Sequence, residues 1–282
     1  MAAKYLEGNL VAEAVLNEVR KRTLLLKEKG VIPGLGTIIV GDDAASAGYV
    51  KKKHETCKKA GFASVHKEVK GSQKDLLFAV DEFNQNPDVD GFLIQYPLPS
   101  GFDFNQAVSR MNPAKDSDGL HPVNLGKLVL QEDAPLPCTP AGIQAMLKFY
   151  NLDIQGKEVV IVGRGPTLGR PLSLLLTLKQ AFANAAVTVV HTGIPDIGVF
   201  TKRADLVIAA AGVPGIVKPE MVKTGAIVIS GGISWEGKKL LPDVDVRVGE
   251  VASWITPRLG GVGPVTVAML LLNTVKAAEK RK

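Results

Sequence analysis

Short apolar runs alternate with segments of helical length along the whole chain, the pattern of parallel α/β structure whose strands are buried on both faces. In the first half, Thr37 to Val40 and Gly91 to Gln95 read as strands, and Ala45 to Ala60 and Lys74 to Asn86 as helices. Each strand ends in turn chemistry. Gly41-Asp42-Asp43 follows the first and Tyr96-Pro97-Leu98-Pro99 the second, where proline has no N–H to give a ladder. From Met111 to Pro140 the periodicity fades and turn residues cluster, so a long loop-rich stretch is expected. Ala141 to Tyr150 reads as a helix linking two lobes. Four strands follow, at Val159 to Val162, Val187 to Val190, Leu206 to Ala209 and Ala226 to Ile229, and an amphipathic helix closes the chain from Val265 to Lys280. The expected fold is two α/β lobes, one of residues 1–139 with 265–282 and one of residues 140–264, the last helix packing back on the first lobe.

A chain of 282 residues has room for two such lobes. The formal charge of +6 suits a nucleic-acid binder, but there is no low-complexity basic tail and no basic stripe interleaved with aromatic residues. Small anionic ligands explain the charge as well, and no nucleic-acid partner is expected. The N-terminus lacks the apolar core of a signal peptide. The most apolar stretch, Val265 to Val275, is broken by Thr266, Asn273 and Thr274 and is shorter than the roughly 20 residues of a membrane span. No membrane partner is expected. Cys57 and Cys138 lie far apart without metal-ligand spacing, which implies neither a disulfide framework nor a metal site and fits a cytoplasmic setting.

Candidate chemistry begins after the strand at Val159. Gly163-Arg164-Gly165-Pro166-Thr167-Leu168-Gly169 has the spacing Gly-x-Gly-x-x-x-Gly between a buried strand and a helix start. Glycines there let backbone N–H groups approach a pyrophosphate at the positive end of a helix, so the second lobe reads as a Rossmann-type dinucleotide-binding domain. Any tight strand-to-helix turn also favours glycine. An NAD site usually carries a carboxylate at the end of the next strand to hold the ribose 2′-hydroxyl. That place is taken by His191-Thr192, and Arg164 stands ready for a 2′-phosphate, which favours NADP. The bland alternative is that Arg164 points into solvent.

The segment from Ser46 to Ala60 carries five lysines, the usual sign of a solvated helix face. One does not fit. At about 100° per residue, Ser46, Tyr49, Cys57 and Ala60 fall within about 40° of Lys53, while the other four lysines lie about 100° or more away. An inward ammonium loses hydration, which depresses its pKa and makes a neutral amine accessible for proton transfer. The alternative is that Lys53 snorkels outward along its apolar stem.

Together these segments resemble the bifunctional methylenetetrahydrofolate dehydrogenase/methenyltetrahydrofolate cyclohydrolase family. Tyr49-Val50-Lys51-Lys52-Lys53 is similar to its Tyr-x-x-x-Lys motif, Gln95-Tyr96-Pro97-Leu98-Pro99 to its Gln-Leu-Pro-Leu-Pro, and Lys115-Asp116-Ser117-Asp118-Gly119-Leu120-His121-Pro122 to its Lys-Asp-Val-Asp-Gly-Phe-His-Pro. Pro137-Cys138-Thr139-Pro140, the glycine loop with Gly169-Arg170-Pro171, and Gly260-Gly261-Val262-Gly263-Pro264 complete the set in the family's order. The resemblance implies Lys53 as the catalytic lysine, Tyr49 stacking on the folate, Gln95 tuning the lysine and Asp118 anchoring the pterin ring. It further implies NADP contacts at Gly163, Arg164, Gly165, Thr167, Gly169, His191, Thr192, Ala211, Gly212 and Ile233. Folate contacts are implied at Gly260 and Gly263, and a homodimer is implied. The implied reactions are NADP-dependent oxidation of 5,10-methylenetetrahydrofolate and hydrolysis of the methenyl product to 10-formyltetrahydrofolate. His121 reads as structural.

Three departures stand out. Thr256-Pro257-Arg258-Leu259 replaces the family's Thr-Pro-Val-Pro, which is expected to loosen that loop. Tyr96 replaces a leucine beside Gln95, and Ser230-Gly231-Gly232-Ile233 replaces Asp-Val-Gly-Ile.

Overall fold

The computed structural model describes residues 2–41, 53–236 and 239–281. In chain order the elements are β1 (Lys4–Tyr5), α1 (Gly8–Glu28), β2 (Gly34–Val40), α2 (residues 53–60), β3 (Ala63–Val69), α3 (Gln73–Gln85), β4 (Gly91–Ile94), α4 (Phe104–Arg110), α5 (Pro122–Leu130) and α6 (Cys138–Phe149). Then come β5 (Glu158–Val162), α7 (Gly169–Thr177), β6 (Ala186–Val190), α8 (Gly198–Thr201), β7 (Leu206–Ala209), β8 (Ile227–Ser230), β9 (Ile233–Glu236), β10 (Lys239–Pro242), β11 (Trp254–Ile255) and α9 (Val262–Ala278).

The chain divides into two compact units, residues 1–12 with 139–266 and residues 13–138 with 267–282. The expected division put residues 1–12 in the other lobe. They belong with the nucleotide-binding unit because β1 pairs with β11, Lys4 opposite Trp254 and Tyr5 opposite Ile255.

The unit of residues 13–138 with 267–282 is built on a parallel sheet of order β3-β2-β4. Its central strand, β2, is buried along its whole length, as a strand covered on both faces must be. One apolar cluster joins Val19 and Leu26 of α1, Cys57 and Ala60 of α2, and Leu270, Leu271 and Val275 of α9. The C-terminal helix thus packs where the sequence places it. The expected long loop between Met111 and Pro140 is interrupted by α5, which starts with Pro122 in its first turn, while the Nδ1 of His121 accepts the Val123 N–H at 3.1 Å.

The nucleotide-side unit carries a parallel sheet of order β1-β11-β8-β7-β5-β6. Successive strands β5 and β6 lie side by side, and the chain then crosses to β7 on the other flank of β5. That reversal is the switch point at which open α/β sheets bind ligands beyond their carboxyl ends. Val160, Val162, Val207, Ala209 and Val228 form the core beneath it. No helix among the described residues is long and apolar enough to cross a membrane.

Candidate functional site

Three of the residues singled out from the sequence meet in the unit of residues 13–138 with 267–282. Lys53 opens the described part of α2, whose Cys57 and Ala60 are buried while His54, Glu55, Lys58 and Lys59 are exposed. The helical phase therefore does turn Lys53 inward. Its Nζ donates to the Oε1 of Gln95 at 2.8 Å. Gln95 follows β4 and is pinned by its backbone N–H on the Ile38 carbonyl at 2.8 Å. Its amide nitrogen donates to the Tyr96 carbonyl at 3.0 Å. With its donors engaged there, the amide presents its oxygen to the lysine, so Gln95 accepts from either protonation state. Tyr49 lies outside the described residues.

Burial lowers the pKa of Lys53, and the negative charge of Asp118 partly opposes that shift. Asp118 moves the other way: burial pushes its carboxyl up to about 6, with Lys53 pulling it back down. Both side chains keep a partly accessible face, yet loss of hydration is the largest influence on each. Burial thus weakens the charged form of both groups, the lysine losing affinity for its proton and the carboxyl gaining it.

Asp116 does the structural job in this loop, so the Asp118 carboxyl is spared the backbone contacts and keeps the Cys138 thiol as a neighbour. The Asp116 carboxylate accepts from the backbone of Gly119 at 2.9 Å and of His121 at 2.8 Å, and from the Asn124 amide at 2.9 Å. The turn-capping role that an aspartate before glycine usually takes thus falls two residues earlier. Cys138 holds the far side, its N–H on the Asp118 carbonyl at 3.1 Å and its thiol 3.1 Å from the Ser117 carbonyl. Burial and the two aspartates raise the Cys138 thiol well above its ordinary range, so it acts as a neutral prop. Asn273 of α9 donates to the Ser117 carbonyl at 3.0 Å and the Leu136 carbonyl at 2.9 Å, tying the C-terminal helix to the same loop. Sequence reasoning missed Asp116 and Cys138 as parts of the site.

The nucleotide-side unit carries the glycine loop. Gly163 ends β5 with φ 129°, and a Cβ on it would lie 2.1 Å from the Ala210 carbonyl oxygen. A Cβ on Gly169 would lie 2.2 Å from the Gly163 oxygen, whereas around Gly165 there is open space. Helix α7 starts without a side-chain cap at Leu168; in its first turn the Arg170 N–H is on the Gly165 carbonyl at 3.2 Å and Pro171 has none, which leaves the Gly169 N–H to face a ligand. A cradle of bare backbone over an uncapped helix start fits a dinucleotide pyrophosphate. Arg164 and Thr167 line this loop, Arg164 exposed and Thr167 half-buried. At the end of β6, His191 uses Nδ1 to accept the Gly193 N–H at 3.1 Å, and Thr192 is exposed. The next carboxylate, Asp196, accepts the Gly198 N–H at 2.8 Å. Ala211 and Gly212 lie just beyond β7, and Ile233 opens β9.

Gly260 (φ 78°) accepts the Asn9 N–H through its carbonyl at 3.1 Å, and Gly263 lies exposed in the first turn of α9. The loop at Arg258 is not loose. The guanidinium donates to the Leu240 carbonyl of β10 through Nε at 3.3 Å and a second nitrogen at 3.0 Å, replacing the proline's restraint by a polar strap. At the third departure, the Ser230 N–H meets the Thr256 hydroxyl at 2.8 Å. Gly231 leaves room for Leu168, whose Cδ2 would lie 2.8 Å from a Cβ there. Tyr96 packs edge-on against Phe104. Among the described residues no group of three or more His, Cys, Asp or Glu is placed to hold a metal ion.

Family models match both parts of the chain. The tetrahydrofolate dehydrogenase/cyclohydrolase catalytic domain matches residues 6–118, and the NAD(P)-binding domain of the same enzymes matches residues 137–282. The bifunctional protein FolD of Syntrophotalea carbinolica is 70% identical over 283 residues, covering 100% of this chain and 98% of its own. The bifunctional FolD methylenetetrahydrofolate dehydrogenase/cyclohydrolase of Campylobacter jejuni shares the structure with a TM-score of 0.93 at 38% identity, over 100% of both chains. The Trypanosoma brucei methylenetetrahydrofolate dehydrogenase-cyclohydrolase, complexed with NADP cofactor and inhibitor, gives 0.91 at 36% identity over 99% of this chain and 98% of that one. The chain therefore belongs to the tetrahydrofolate dehydrogenase/cyclohydrolase family, the one its motifs resemble.

Proposed function

We propose that this chain oxidises 5,10-methylenetetrahydrofolate with NADP and hydrolyses the methenyl product to 10-formyltetrahydrofolate, with Lys53, Gln95 and Asp118 as its working residues. The observation that carries the assignment of residues is the 2.8 Å hydrogen bond from Lys53 to Gln95 beside a carboxyl whose pKa is raised to about 6.

In the first reaction NADP, when bound, takes up the hydride lost by the methylene carbon. The chain's own part is to hold the two reactants in register. Gly163, Gly165 and Gly169 give backbone donors to the pyrophosphate, and Arg164 with Thr192 receives the 2′-phosphate that a carboxylate would repel. Ala211, Gly212 and Ile233 support the reacting end. Oxidation leaves a delocalised cation on the folate. Asp118, when ionised, accepts the paired N–H donors of the aminopyrimidinone and fixes the pterin, while Tyr49 covers the ring system. Gly260 and Gly263 contribute backbone contacts to the folate.

In the second reaction water adds to the cationic carbon and gives up a proton. The hydroxyl formed then loses its proton as the bond from that carbon to the ring nitrogen breaks and the nitrogen is protonated, with one proton released overall. Lys53, whose proton burial loosens, accepts the first proton and returns one to the nitrogen, held on line by Gln95. Lys53→Met should therefore lose cyclohydrolase activity almost completely when methenyltetrahydrofolate is supplied directly and its absorbance followed. Turnover near that of wild type would remove Lys53 from the mechanism.

The same reading includes a homodimer and a cytoplasmic setting. The buried, unpaired Cys57 and Cys138 support the latter, since neither is bridged. Sedimentation at twice the chain mass is the expected result for the dimer.

A further inference from the structure

Asp243 follows β10 and lies outside every motif considered so far. It is completely buried. Its Oδ2 accepts the N–H of Ala211 at 2.7 Å and of Gly212 at 2.8 Å. Its own backbone is engaged on both sides, the N–H on the Gly232 carbonyl at 3.3 Å and the carbonyl on the Val217 N–H at 3.1 Å. The carboxyl lies flat against Gly232, where a Cβ would come within 2.0 Å of Oδ2. Gly231 and Gly232 in turn both donate to the Ala209 carbonyl at 2.8 Å. One side chain thus locks the loop after β7 to the loop after β8, at the carboxyl ends of strands beside the switch point.

The second oxygen sharpens the case. Oδ1 is buried and closes no well-aligned hydrogen bond among the described residues, while the Val213 N–H beside Ala211 and Gly212 also favours the ionised carboxyl. A carboxylate retained only for local stability would satisfy both oxygens, because a buried acceptor left unpaired costs about 1–3 kcal/mol. That cost is tolerated at a place where two successive backbone N–H groups must be gripped by a single acceptor.

We propose that Asp243 is a positioning residue for the dinucleotide: its carboxylate fixes the Ala211-Gly212 and Gly231-Gly232 loops in the shape that receives the cofactor. This rests on the reading of Ala211, Gly212 and Ile233 as cofactor contacts given above. Asp243 acts through those backbones and touches no reacting atom.

The test is NADP affinity by calorimetry, with KM and kcat of the dehydrogenase and, separately, cyclohydrolase turnover on supplied methenyltetrahydrofolate. Asp243→Ala should weaken NADP binding at least tenfold and raise KM for NADP in step, while cyclohydrolase turnover stays within twofold of wild type. Asp243→Asn, whose amide oxygen can still accept both N–H groups, should recover affinity to within about threefold. Should Asp243→Ala fail to fold, Gly232→Ala displaces the same carboxylate from its other side and should give the same loss of affinity. NADP affinity unchanged in Asp243→Ala or in Gly232→Ala overturns the proposal. So does a parallel collapse of cyclohydrolase turnover in a soluble Asp243→Asn, which would make the residue a general folding element. A wild-type protein that binds NADP but turns over no folate would sink the proposed function and leave this inference standing.

Discussion

The carboxyl of Asp118, raised to about 6 by burial, changes charge inside the pH range in which ligand binding can be measured. With a factor of ten per pH unit, its ionised share falls from about nine-tenths at pH 7 to about one-tenth at pH 5. Only the ionised form offers two acceptors to an aminopyrimidinone; the acid form turns one of them into a donor that faces another donor. Binding of an unreactive tetrahydrofolate analogue should therefore weaken about tenfold between pH 7 and pH 5, or about 1.4 kcal/mol. Unfolding does not explain such a loss. A carboxyl raised from 3.8 to about 6 adds stability that is fully present below pH 3.8 and is lost as the pH rises through about 6, on the order of 3 kcal/mol in total. At this residue the fold is firmer at pH 5 than at pH 7. Calorimetric titrations at half-unit steps from pH 5 to 8, with melting curves alongside, check both signs. Asp118→Asn should bind weakly at every pH with no inflection near 6. An affinity for the wild type that stays flat from pH 7 to pH 5, or an inflection that survives in Asp118→Asn, would refute the pterin-anchoring role.

Arg164→Ala should erode discrimination between the cofactors, raising KM for NADP while that for NAD changes little; an unchanged preference would return Arg164 to the solvent. Gly163→Ala places a Cβ 2.1 Å from the Ala210 oxygen on a residue with φ 129°, and should cost about 3 kcal/mol or more by denaturant titration. Asn273→Leu keeps the volume but strips the donor from the Ser117 and Leu136 carbonyls, for an expected loss of about 1–3 kcal/mol. Its melting temperature should fall, and the folate affinity should fall with it as the Asp118 loop relaxes.

Strands β5, β7 and β8 were legible because each is a buried run of valine, isoleucine and alanine. The start of β2 was not, because Gly34 and Gly36 carry no side chain to give a strand pattern. They are strand residues that let the Asp88 carbonyl, the Phe83 ring and the Phe92 Cβ approach where a Cβ would collide. β3 escaped notice because it is an edge strand, half-exposed and rich in charge. In α1 the exposed Leu10, Leu24 and Leu25 blur the phase that Val11, Val19 and Leu26 would set. Helical phase, which is local, singled Lys53 out of five lysines but left an outward snorkel open, and the neighbouring motifs decided between them. The separation of labour between Asp116 and Asp118 was not, because it depends on where the chain turns at Gly119 and His121. Asp243 was beyond reach for a similar reason: its partners lie about thirty residues upstream, and nothing in their identity advertises a backbone contact.

The interleaving of the two units also sets a schedule for synthesis. The unit that begins at Glu13 has most of its residues by Cys138, but its core includes Val267, Leu270, Leu271 and Val275. A ribosome adding roughly 5–20 residues per second needs on the order of ten seconds to travel from one to the other. During that interval the apolar flanks of α1 and α2 have no α9 to cover them, while the nucleotide-side sheet is being threaded in between. The nascent chain must carry an open core until its last helix emerges, so its exposure to chaperones is decided by the position of α9 rather than by the size of either unit.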